Sequence, residues 1–83
     1  MARHTHRFVE EYDGLVGFGL DREGDMNTLT YYLQKFSDDR CMALIRERIS
    51  REDMNDLFDL LTRILKNCLA EDEYHRVFLK DGE

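Results

Sequence analysis

The sequence predicts a mostly α-helical protein: a small bundle of three to five helices, with a short β-hairpin within residues 14–33 as the alternative. Three observations predict it. Ser50 to Leu69 is a long amphipathic stretch. Short polar residues stand ahead of four of the apolar-periodic segments, where helix caps belong. The chain of 83 residues contains no proline, the residue that most strongly interrupts helices.

The N-terminal residues 1–4 are expected to be a mobile end. Thr5 then offers a cap for a short helix to Asp13. Phe8, Val9 and Tyr12 lie on one side, Glu10, Glu11 and Asp13 on the other. Gly14 follows at the position where a helix commonly ends in the left-handed conformation.

Residues 14–33 read two ways. As strands, Val16, Phe18 and Leu20 alternate, the acidic segment around Gly24 turns, and Leu29, Tyr31 and Leu33 alternate on the return. As a helix, Leu29, Tyr32, Leu33 and Phe36 recur at steps of three and four, with Asn27 or Asp25 as cap. Glycine inside a helix costs up to about 1 kcal/mol relative to alanine. The expectation is therefore irregular chain from Gly14 to Gly24 and a helix from about Asn27 to Phe36.

Ser37, Asp38 and Asp39 interrupt the pattern and can cap again. A helix from about Asp38 to Arg48 follows, with Met42, Ile45 and Ile49 on one face. Ser50 then caps the central helix, with Asp53 three residues on and Ile49 and Met54 at hydrophobic-staple spacing. Its stripe is Met54, Leu57, Phe58, Leu61, Ile64, Leu65 and Cys68, widened by Leu60 and Leu69. Acids precede bases along it, as the helix dipole favours. The apolar phase changes near Leu69 to Asp72, which predicts a turn and a last helix to about Leu79. Residues 80–83 are expected to fray.

One domain is expected at this length, with modest stability, because so short a chain buries only about 60% of its unfolded surface. Lys and Arg total 12 against 18 Asp and Glu, a net charge of −6. That balance lacks the basic footprint of a nucleic-acid binder. No apolar run is long enough to span a membrane, and the polar start lacks a signal peptide's apolar region. The expected location is cytoplasmic, with no nucleic-acid or membrane partner. Cys41 and Cys68, outside any C-x-x-C pattern, are expected to be buried and reduced.

The polar residues give weak chemical signals. The segment Gly14 to Gly19 has Arg22 where a dinucleotide loop needs its last glycine, and it lacks a P-loop ending. Asp21 to Asp25 has Gly24 at the fourth position of a would-be calcium loop, not the sixth. Asp72 and Glu71 stand three and four residues before His75, a spacing that puts ligands on one helical face. A di-metal bundle needs a second such pair, and none exists. Ala2-Arg3-His4, with a free amine at Ala2, can present four nitrogens to Cu(II) or Ni(II). His4, His6, Asp72 and His75 are thus the candidate metal ligands. A cysteine with a histidine elsewhere is composition rather than a motif.

Two functions follow as expectations. The first is a non-enzymatic interaction or regulatory module, acting as a homodimer or on another protein. Its face is Met54, Leu57, Phe58, Leu61, Ile64 and Leu65, and it needs no cofactor. The second is a helical domain holding a transition metal through His75 with Asp72 or Glu71.

Overall fold

Five helices follow one another along the chain in the computed structural model, which describes residues 4–81. They are α1 (Phe8–Glu11), α2 (Arg22–Phe36), α3 (Asp39–Arg48), α4 (Arg51–Cys68) and α5 (Glu71–Glu73), the last continuing as a π-helix over Tyr74–Leu79. The protein is mostly α, and no strand occurs among the described residues. The hairpin considered for residues 14–33 does not form, because α2 occupies its second half. The expected frayed ends at 1–4 and 80–83 lie outside the described residues except at His4, Lys80 and Asp81. The chain divides into two units, Thr5–Arg48 and a second that takes up the chain from Ile49.

In the first unit, α2 begins five residues before the expected Asn27. The cap is Asp21, whose carboxylate accepts the Gly24 N–H. Gly24 therefore stands in the first turn, where its N–H needs an outside acceptor in any case. The helix penalty for glycine is a property of helix interiors and does not apply there. The C-terminal boundary at Phe36 is as expected. Asp38 caps α3, its Oδ2 accepting from the Arg40 and Cys41 N–H groups at 3.1 and 3.3 Å.

The N-terminal helix is shorter than expected. It runs only from Phe8 to Glu11, Arg7 offers no side-chain cap, and Tyr12 is already extended. The Tyr12 hydroxyl donates to the Leu15 carbonyl at 2.7 Å, bending the chain back. A Cβ on Gly14 would lie 2.6 Å from that hydroxyl oxygen. Gly14 thus admits the Tyr12 ring rather than ending a helix in the left-handed region; the positive φ belongs to Gly19, at 100°. Phe8 stacks on Tyr12 at 4.9 Å and Tyr12 tilts against Tyr31 at 5.8 Å. The Gln34 side chain accepts the Val9 N–H at 3.0 Å, fastening α1 to α2.

The loop from Gly14 to Leu20 is tied to the N-terminal half of α2. Thr28, 4% exposed, is the one fully buried residue among those described. Its hydroxyl bonds both the N–H and the carbonyl of Gly17. Asp25 accepts the Gly19 N–H. These polar ties hold a loop whose apolar side chains face outward: Leu15, Phe18 and Leu20 are each more than two-thirds exposed.

In the second unit, α4 starts as expected. Ser50 caps it, Oγ accepting the Asp53 N–H at 3.0 Å. Leu69 and Ala70 are extended, so the turn falls where the apolar phase changes. The Glu73 carboxylate reaches back to the Ala70 N–H at 2.8 Å, one half of a capping box; alanine has no oxygen to complete the other half. Tyr74 and Phe78 stack at 5.2 Å along the π-helical turn. The helix closes at Lys80, which takes the left-handed conformation at φ 57° and donates to the His75 carbonyl.

Candidate functional site

The expected interaction face lies along α4, and its residues range from half-buried to exposed. One stripe results from residues spaced three and four apart on a helix of 3.6 residues per turn. Phe58 is 70% exposed. Ile64, Leu61 and Met54 are also exposed, while Leu57 and Leu65 are half-buried. No hydrophobic residue among those described is fully buried. A side chain such as Phe58 gains roughly 1.5–3 kcal/mol when it leaves water completely, and Phe58 keeps most of that gain in reserve, whereas Met54, Leu61 and Ile64 have already given up more than half of their surface.

The opposite face of α4 is polar, with Asp56, Asp59, Arg63 and Lys66. A shallow hollow beside Phe58 is lined by Asp59, Thr62, Arg63, Lys66 and Asn67. The acids fall in the first half of the helix, together with Arg51, and the other bases, Arg63 and Lys66, in the second. Cys68 closes the stripe, exposed and free; Cys41 is half-buried and free. The expectation of two buried thiols is corrected at Cys68, whose place at the end of an uncovered stripe leaves it in solvent.

The candidate metal ligands take other partners. His75 Nδ1 stands 3.1 Å from Asp81 Oδ1, not against Asp72 or Glu71. Asp72 faces Arg76 at 3.6 Å, one helical turn on. The His6 ring bonds the Ser37 hydroxyl at 3.0 Å. His4 is exposed, and the Ala2 and Arg3 atoms that would complete its four-nitrogen site lie outside the described residues. No three His, Cys, Asp or Glu side chains converge to hold a metal among the described residues. Sequence spacing missed Asp81 as the histidine partner because the link depends on the left-handed turn at Lys80, which carries no glycine to announce it.

A groove in the first unit is lined by His6, Val9, Tyr31, Phe36, Asp39 and Cys41, among others. It brings a histidine and a thiol to one concavity, but the histidine ring is engaged with Ser37. Lys35 lies over the Tyr31 ring at 4.9 Å, a cation–π contact on the same wall. No helix among the described residues is long and apolar enough to cross a membrane. Compared with family models, with curated proteins and with solved structures, the chain matches none.

Proposed function

We propose that this protein is a non-enzymatic interaction module that self-associates as a homodimer in the cytoplasm, using the α4 stripe as its contact. The observation that carries the proposal is the exposure of Phe58, at 70%, in the middle of an otherwise well-formed amphipathic helix. A stripe of this width belongs against another apolar surface. A second copy supplies an identical stripe, and pairing two of them completes a helical bundle around α4. Self-association is also a common source of stability for a chain this short.

Native mass spectrometry of the protein released gently from its own cells tests the proposal. The expected spectrum is a metal-free homodimer. A monomer with no partner contradicts it. A monomer carrying one equivalent of transition metal contradicts it in favour of metal binding at His75.

A further inference from the structure

The sequence contains two Asp–Gly steps, Asp13–Gly14 and Asp81–Gly82. In such a step an aspartyl side chain closes readily on the next backbone nitrogen. Glycine has no Cβ to obstruct the approach, and its backbone is free to reach the cyclic geometry. The reaction needs water alone. Whether it proceeds in the folded protein therefore depends on how each aspartate is held.

The two are held differently. Asp81 presents both carboxylate oxygens to His75 Nδ1, at 3.1 and 3.3 Å, and its N–H donates to the His75 carbonyl. Side chain and backbone are thus both fastened to the last helical turn. Asp13 follows the extended Tyr12, outside any helix, and both Asp13 and Gly14 are exposed. Among the described residues, no hydrogen bond or ion pair holds the Asp13 carboxylate, and no group accepts the Gly14 N–H.

We infer that Asp13–Gly14, rather than Asp81–Gly82, is a site of spontaneous isoaspartate formation in the folded protein. The Gly14 nitrogen attacks Cγ of the Asp13 carboxyl in its protonated form. The N–Cγ bond forms, and the carboxyl hydroxyl leaves with the amide proton as water. Water then reopens the cyclic imide. Addition at Cγ breaks the new bond and restores aspartate. Addition at the main-chain carbonyl carbon breaks the original peptide bond, and the chain then runs through the side chain. Nothing is oxidised or reduced, and the water lost in the first step is regained in the second.

The product carries one extra backbone methylene between Tyr12 and Leu15. The Tyr12 hydroxyl donates to the Leu15 carbonyl across this stretch. The same ring packs on Phe8 and against Tyr31. Conversion therefore acts on the turn that seats α1 against α2.

Isotope labelling tests the inference. Full-length protein is kept at neutral pH in water enriched in heavy oxygen, once folded and once in guanidinium chloride. Its peptides are then read by mass spectrometry with electron-transfer fragmentation, which distinguishes isoaspartate from aspartate. In denaturant both steps are expected to convert at comparable rates. In the folded protein the Asp13 peptide is expected to gain heavy oxygen and isoaspartate at close to its denatured rate, and the Asp81 peptide several-fold more slowly. Asp13→Glu keeps the charge but would need a larger ring, and it is expected to stop conversion at that position while leaving Asp81 as it was. Gly14→Ala is unsuited to the test, because its Cβ would meet the Tyr12 hydroxyl. Conversion at Asp13 suppressed several-fold by folding overturns the inference. So does folded protein in which Asp81 converts as fast as Asp13 or faster.

Discussion

Thr28 holds Gly17 by both of its backbone groups: the threonine hydroxyl accepts the Gly17 N–H at 3.0 Å and donates to the Gly17 carbonyl at 2.8 Å. One side chain on α2 thereby satisfies a loop residue eleven positions earlier, and it is the most completely buried residue described. A buried polar pair of this kind is costly to break on one side, because the partner groups lose their bonds without regaining water. Thr28→Val keeps the shape and removes the hydroxyl. It is expected to cost about 1–3 kcal/mol, read by urea unfolding, while Thr28→Ser retains most of the stability. Equal losses for the two would mean that the methyl group, not the hydroxyl, matters.

The Ser50 cap sets where α4 begins. Its Oγ satisfies the Asp53 N–H, one of the four N–H groups that a helix start leaves without a partner. Ser50→Ala is expected to destabilise by about 0.5–2 kcal/mol and Ser50→Asp by much less. Circular dichroism during thermal unfolding measures both.

Lys80 occupies a conformation that side chains rarely adopt, at φ 57°. Glycine enters that region without the Cβ clash, which costs other residues about 1–2 kcal/mol. Lys80→Gly is expected to leave α5 intact and to raise stability by up to about 1 kcal/mol, less what glycine's extra freedom in the unfolded chain removes. Lys80→Val is expected to destabilise, since a β-branched residue fits there least well. Amide exchange at Asp81, whose N–H donates to the His75 carbonyl at 3.2 Å, reports on this turn directly.

Stability is expected to depend on protein concentration. No hydrophobic residue among those described is fully buried; if the chain pairs as proposed, association would add burial and mass action would raise the melting temperature with concentration. Calorimetry over a hundredfold concentration range measures the shift. A constant melting temperature would separate folding from association.

Much of the helical layout was legible in the sequence where polar caps and apolar periodicity agree. Ser50 and the stripe behind it mark α4, and the phase change after Cys68 marks the break at Leu69 and Ala70. The N-terminal region was less legible, for identifiable reasons. Gly24 counts against a helix only if it is interior, and the sequence does not reveal that Asp21 makes it part of the first turn. Thr5 and Gly14 look like two ends of one helix, yet the Tyr12 hydroxyl takes the Leu15 carbonyl and ends the helix early. The π-helical turn after Glu73 has no signal in the sequence, and the His75–Asp81 pair follows a left-handed lysine, for which composition gives no sign. The apolar residues of the α4 face were legible as a stripe; their openness to solvent is a tertiary property that periodicity does not contain.

Sedimentation equilibrium on wild type and Phe58→Ser tests self-association through α4 most directly. Phe58 lies in the stripe and touches no helix cap, so its loss bears on the contact rather than on helix formation. Wild type is expected to sediment as a dimer and Phe58→Ser predominantly as a monomer with unchanged helical content, since removing a central aromatic anchor commonly costs about 2 kcal/mol or more of association energy. A wild-type monomer at every concentration, or a dimer indifferent to Phe58→Ser, would contradict the assignment of α4 as the interface.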